Sequence, residues 1–141
     1  MRIERARPED TDAIAALERR CFFDPWPAAV IGRRIGRFLA ARAADGALTG
    51  YLCLSHVLDE GSIDNVAVAP ECRRQGTADA LLDAALAEAG TLGLSFITLE
   101  VRASNAPAIA LYEKHGYARV GVRPGYYEAP REDAILMTRF L

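Results

Sequence analysis

Ser62-Ile63-Asp64-Asn65-Val66-Ala67-Val68-Ala69-Pro70-Glu71-Cys72-Arg73-Arg74-Gln75-Gly76-Thr77-Ala78 is the stretch on which the reading of the fold turns. Its apolar positions, Ile63, Val66, Ala67 and Val68, read as a strand. Beyond the polar loop, Ala78, Leu81, Leu82, Ala85, Leu86 and Ala89 recur at the i, i+3, i+4, i+7 spacing of a helix that packs on a sheet. The junction between strand and helix suits a pyrophosphate. Gly76 and Ala78 carry little or no side chain, so the backbone can come close to a ligand, and the unpaired N–H groups of the first helical turn point at its oxygens. Arg73, Arg74, Gln75, Gly76, Thr77 and Ala78 together form a candidate cradle, with the two arginines better suited to solvent than to joint phosphate contact. A plain turn is the competing reading of Gly76. The chain contains neither a glycine–lysine P-loop nor a G-x-G-x-x-G, which argues against ATP and NAD.

Downstream, Ser95 to Val101 is dominated by apolar and β-branched residues and predicts a buried strand. Asn105 caps the helix that follows, with Pro107 in its first turn and Gly116 just past its last. Gly90 and Gly93 end the helix before that strand. Upstream, Thr11 is placed to cap a helix with Ile14, Leu17 and Cys21 on one face, and a short helix spans Ala28 to Ile35. Strands are expected over Phe38 to Arg42 and Leu48 to Ser55 around an Asp45-Gly46 hairpin, with a second turn at Leu58-Asp59-Glu60-Gly61. Tyr117 to Val122 and Ala134 to Phe140 close the chain as strands. A strand–helix–strand–helix–strand core behind an N-terminal hairpin is an α+β, or mixed α/β, sheet.

The chain has 141 residues, 51% of them hydrophobic and 26% charged, which fits a single globular domain over 1–141. No apolar run approaches the ~20 residues needed to span a bilayer, and the start, Met1-Arg2-Ile3-Glu4-Arg5, lacks the apolar core of a signal peptide. A soluble cytoplasmic protein with no membrane partner is the expectation. Cys21, Cys53 and Cys72 are odd in number and lack C-x-x-C spacing, so they indicate neither a disulfide framework nor a metal site. A net charge of −2 with scattered basic residues gives no footprint for nucleic acid. Lys114 is the only lysine, a compositional bias toward arginine.

The Arg-x-x-Gly-x-Ala loop after an apolar strand resembles the acetyl-CoA pyrophosphate loop of the GNAT N-acetyltransferase superfamily. A second block, Leu99-Glu100-Val101-Arg102-Ala103-Ser104-Asn105 followed by Ala108-Ile109-Ala110-Leu111-Tyr112-Glu113 and Gly116-Tyr117, is similar to the RimI-type ribosomal protein alanine N-acetyltransferase branch. Phe23-Asp24-Pro25-Trp26, Gly125-Tyr126-Tyr127 and Glu132-Asp133-Ala134-Ile135-Leu136-Met137 fit the same branch, so the resemblance spans nearly the whole chain. It departs at Pro27, where the branch often has a small polar residue, and at Ala78, where many members have glycine. The resemblance implies a central, mostly antiparallel twisted sheet with a splayed strand pair, flanked by helices, with acetyl-CoA as cosubstrate and no metal.

Glu100 lies at the end of an otherwise apolar strand, where an unpaired buried carboxylate costs several kcal/mol. It is either a structural bridge to Arg102 or Arg119, or a general base that takes the proton of an attacking amine. The resemblance assigns it the second role. Tyr112 is either core beside Leu111 or, as the resemblance implies, the general acid for the CoA thiolate. Asn105 can both cap its helix and touch pantetheine. The resemblance also implies that the backbone of the Asn65 to Val68 stretch, at Val66, Ala67 and Val68, pairs with the pantetheine arm, one N–H polarising the thioester carbonyl. Trp26, Tyr126 and Tyr127 would flank a peptide groove with Glu100. Cys72 invites a covalent route, but no histidine is near in sequence; His56 and His115 are expected at the surface. The implied activity is direct transfer to a protein N-terminus, with a ribosomal protein starting in alanine as the substrate. Acetylation of lysine side chains or small amines is one alternative, and a non-catalytic acyl-CoA-binding module is another.

Overall fold

Apolar runs separated by turn residues build seven strands, and amphipathic stretches build four helices, in the computed structural model, which describes residues 1–141. In chain order they are β1 (Arg2–Arg5), α1 (Thr11–Cys21), α2 (Ala28–Arg33), β2 (Phe38–Arg42), β3 (Leu48–Val57), β4 (Glu60–Val68), α3 (Thr77–Leu92), β5 (Phe96–Arg102), α4 (Ala106–Lys114), β6 (Ala118–Tyr127) and β7 (Glu132–Phe140). The strands form a sheet in the order β1-β2-β3-β4-β5-β7-β6. β4 and β5 run parallel, and β1–β2, β2–β3, β5–β7 and β6–β7 run antiparallel. This is the mixed α/β class that the order of elements implied. The chain divides into two compact units, Met1–Leu54 with Asn65–Leu86 and Ser55–Asp64 with Ala87–Leu141.

In the first unit, Ile14, Leu17, Ile31, Phe38, Tyr51 and Cys53 form the core. The helical spacing of Ile14 and Leu17 and the full burial of β2 put these side chains there. Thr11 does not cap α1. Pro8–Asp10 already turn as a 3-10 segment, so Thr11 is the first residue of the helix and donates its hydroxyl to the Pro8 carbonyl. α2 stops at Arg33, short of Ile35, and the chain tightens into a 3-10 turn at Ile35–Arg37. Arg42, whose side chain is 7% exposed, anchors β1 and the following turn by bonds to Glu4 at 2.5 Å and Asp10 at 2.7 Å.

In the second unit, β5 is not buried throughout as its apolar, β-branched composition implied, because successive side chains of a strand point to opposite faces: Ile97, Leu99 and Val101 are buried, while Phe96, Thr98, Glu100 and Arg102 share the half-exposed face. Three boundaries differ from the sequence reading. Gly90 lies inside α3, which Gly93 terminates at φ +68°. The turn before β4 is confined to Leu58 and Asp59, with Leu58 at φ +54°, so Glu60 and Gly61 already pair with Phe96 and Ile97. β6 starts after Tyr117 and continues to Tyr127, and β7 begins at Glu132, because Tyr127 still pairs with Glu132.

The Arg42 guanidinium holds the carboxyls of Asp10 and Glu4 below the usual carboxylate range. Carboxyls depressed in the folded state add stability above their unfolded pKa and lose it as pH falls through the folded one. The wild-type melting temperature should therefore fall steeply below about pH 4. Arg42→Leu should cost about 1.5–3 kcal/mol at pH 7 and flatten that acid slope in calorimetric melts; an unchanged slope would locate the acid sensitivity elsewhere.

Candidate active site

The loop of the candidate cradle begins with Pro70–Cys72, which makes a 3-10 turn, after which Arg73 is extended and two left-handed residues follow, Arg74 at φ +60° and Gly76 at φ +81°. Alternating hand in this way turns successive backbone N–H groups toward one side. A Cβ placed on Gly76 would meet no atom within 4 Å, so this side of the residue is open. Residues 73 to 76 are exposed, whereas Thr77 is buried and Ala78 half-buried. Arg73 turns back onto its own strand, its Nε donating to the Val68 carbonyl at 3.3 Å. Thr77 starts α3, whose N-terminal dipole favours an anion at this spot.

Gly50 seats that helix. A Cβ there would lie 2.8 Å from the Ala67 carbonyl and 3.3 Å from Thr77 Cγ2, so only glycine lets the first turn of α3 approach β3 and the end of β4 this closely. Nothing in the local sequence marks this role. Of the strand residues assigned to pantetheine, Val66 and Val68 are half-buried and Ala67 is buried. The parallel ladder between β4 and β5 consists of Glu60↔Phe96, Gly61↔Ile97 and Ser62↔Thr98, ending well before β4 does.

In the other unit Glu100 has a partner that the sequence reading did not name. Arg123 Nε lies 3.2 Å from Glu100 Oε1, and the Tyr126 hydroxyl bonds the same carboxylate, which, ahead of burial, pushes the Tyr126 phenol up. Neither Arg102 nor Arg119 serves. Arg102 holds the β6–β7 hairpin instead, donating to the carbonyls of Pro130 and Glu128 at 3.0 Å each, bonding Glu132 at 3.3 Å and stacking 4.5 Å over the Tyr127 ring. Arg119 pairs with Met137, on the face of Leu99 and away from Glu100. A bulge then shifts the register so that Gly121 pairs with Leu136 and Arg123 with Ala134, which brings Arg123 onto the face of Glu100. Tyr127 is half-buried, its phenol pushed up to about 12 by burial and then by the charge of Glu100.

Tyr112 is 7% exposed on α4 and packs edge-on against Tyr117, ring centroids 6.0 Å apart. Burial pushes its phenol up. Asn105 caps α4 through a bond from Ala108 N at 3.3 Å, which leaves its side-chain NH₂ available. Trp26 is half-buried and packs on the first core, edge-on to Phe38 at 6.5 Å with the Arg34 guanidinium 5.1 Å above it. The exposed aromatics of that loop are Phe22 and Phe23, 37% and 77% exposed. His56 is exposed as expected, and His115 is half-buried, its backbone carbonyl accepting from Arg139 Nη1 at 2.5 Å. Cys72 packs against the first core. No group of three His, Cys, Asp or Glu residues gathers as a metal site, and no helix is long and apolar enough to cross a membrane.

The first unit thus carries a glycine-bearing strand–loop–helix junction, and the second a half-exposed carboxylate on β5 and a buried phenol on α4. The acetyltransferase (GNAT) family profile matches residues 8–117, and the chain belongs to that family. It is 39% identical over 135 residues to the ribosomal protein bS18-alanine N-acetyltransferase of Escherichia coli K12, covering 92% of this chain and 91% of that protein. The crystal structure of the E. coli ribosomal-protein-S18-alanine N-acetyltransferase matches with TM-score 0.91 at 35% identity, over 99% of this chain and 92% of that one. Ard1 from Thermoplasma volcanium also matches at TM-score 0.91, with 27% identity over 99% and 97% of the two chains.

Ala78→Glu tests the cradle. A carboxylate in the first turn is compatible with the helix but puts a negative side chain beside the anion. The variant should fold and lose acetyl-CoA binding in calorimetry; retained affinity would reduce the loop to a turn.

Proposed function

We propose that this chain is an acetyl-CoA-dependent Nα-acetyltransferase that modifies a protein N-terminus, the alanine of a ribosomal protein, by direct attack of the amine. Glu100 carries the reading. It is a carboxylate on the half-exposed face of β5, oriented by Arg123 and Tyr126, in a chain with near-full-length likeness to an alanine N-acetyltransferase. When bound, acetyl-CoA supplies the activated acetyl group. Residues 73 to 78 hold its pyrophosphate, Asn65 to Val68 offer backbone groups to the pantetheine arm, and Asn105 adds a side-chain contact. Glu100 accepts a proton from the ammonium, directly or through a water, so that the amine is neutral when it attacks. Tyr112, kept protonated by burial, donates to the sulfur as the C–S bond breaks. Tyr126 and Tyr127 frame the peptide, and Tyr126 also reaches the base; Trp26, turned onto Phe38, leaves that role.

Proton affinity favours an N-terminus. At pH 7 neutralising an α-ammonium of pKa ~7.7–8.0 costs ~1 kcal/mol, whereas a lysine near 10.4 costs ~4.6 kcal/mol, a gap that one carboxylate does not readily erase. An alanine-starting peptide should therefore be acetylated faster than the same peptide with a blocked N-terminus and an internal lysine, as mass spectrometry of a defined peptide set would show. Preference for the lysine would shift the assignment to a side-chain or small-amine acetyltransferase.

Tyr112→Phe keeps the packing ring and removes the proton. It should lower kcat by ~10²–10⁴ with acetyl-CoA affinity changed by no more than a few-fold. A lowered melting temperature with intact kcat would make Tyr112 a core residue only.

A further inference from the structure

Glu18 is 1% exposed, in the middle of α1, and its bonded partners are neutral donors. Oε1 accepts from the Tyr51 hydroxyl and from Asn65 Nδ2 at 2.6 Å; Oε2 accepts from the Trp26 backbone N–H at 2.8 Å. Burial, and then the bond to Glu18, push the Tyr51 phenol up. A core position meant only for packing is filled more cheaply by an apolar side chain, and a buried carboxylate losing one donor is costly. What the carboxylate joins explains its presence. Trp26 lies near the end of the loop over 22–27, on which Phe22 and Phe23 are exposed, and Asn65 opens the stretch of β4 assigned to pantetheine. One side chain thus ties the aromatic loop to the strand, with Tyr51 of β3 as a third fixed point.

We propose that Glu18 is a positioning residue for the peptide substrate: it fixes the Phe22–Phe23 loop to Asn65, so that the apolar side chains of an incoming N-terminal peptide meet a loop already in place. This inference rests on the peptide reading above. Preorganisation of this kind shows in KM for the peptide, because the loop would otherwise have to order on binding.

Glu18→Gln keeps the shape but turns an NH₂ toward a donor, either the Trp26 N–H or the Tyr51–Asn65 side. At saturating acetyl-CoA, KM for an alanine-starting peptide should rise about tenfold, with kcat within about threefold. Calorimetric acetyl-CoA affinity should stay within about the same factor. Trp26 is the only tryptophan, so acrylamide quenching of its fluorescence reads the loop directly and should increase in the variant. Glu18→Gln combined with Asn65→Asp restores a donor–acceptor pair between α1 and β4, and should return both KM and quenching toward wild type. If Glu18→Gln fails to fold, Asn65→Leu decides, since Asn65 is half-buried and its loss leaves Glu18 bonded to Tyr51 and Trp26. Unchanged KM and quenching in a folded variant, or a fall in kcat alone, would overturn the proposal. If wild type leaves the peptide unacetylated, the substrate reading falls by itself. Quenching then still decides whether the loop is clamped, and equal quenching in wild type and variant overturns the clamp.

Discussion

Backbone groups that leave a ladder must be satisfied elsewhere, and in this fold that constraint falls on β4. Its parallel pairing with β5 ends at Ser62↔Thr98, whereas the strand runs on to Val68. The stretch after the ladder leads into an anion cradle, and its backbone is kept in register with the first turn of α3 by the close approach at Gly50. The acetyl-CoA placement proposed above would satisfy both features at once, its amide-bearing arm offering hydrogen bonds to a strand and its pyrophosphate meeting a helix N-terminus.

The second set of functional groups is delivered by sheet register. Glu100 and Arg102 share one face of β5 but do different work. Arg102 clamps the β6–β7 hairpin through two carbonyls, Glu132 and the Tyr127 ring, and so fixes the neighbourhood in which Tyr126 reaches Glu100. The charge partner of Glu100 comes instead from the edge strand, where a bulge re-aims Arg123. The Glu100 carboxyl, near the surface of the sheet, is thereby oriented without being buried. Its side chain is 29% exposed, enough for a water or an amine to approach.

Glu18 gives the first unit a similar logic with neutral partners. Its three donors come from β3, from β4 and from the end of the aromatic loop, and sequence separations of 33, 47 and 8 residues hide the cluster from any local reading. In α1 it looks like one more charged residue beside Arg19 and Arg20. Only burial distinguishes it, because solvent would otherwise compete for each bond.

Sequence alone determined the features that depend on neighbours along the chain. These are the strand–loop–helix junction, the apolar stripe of α3, the Asn105 cap with Pro107 behind it and Gly116 beyond, the strand that carries Glu100, and the family that these motifs resemble. Local propensity and periodicity act over a few residues, so they are legible there. Tertiary structure decided which distant groups meet. It replaced Arg102 and Arg119 with Arg123 at Glu100, turned Trp26 onto Phe38 and left Phe22 and Phe23 exposed, and buried Glu18 among Tyr51, Asn65 and Trp26. The physical reason is register and burial. A single bulged residue reverses the face of every side chain after it, and a charge becomes a structural hub only when packing removes its water; neither is encoded in any short window of residues.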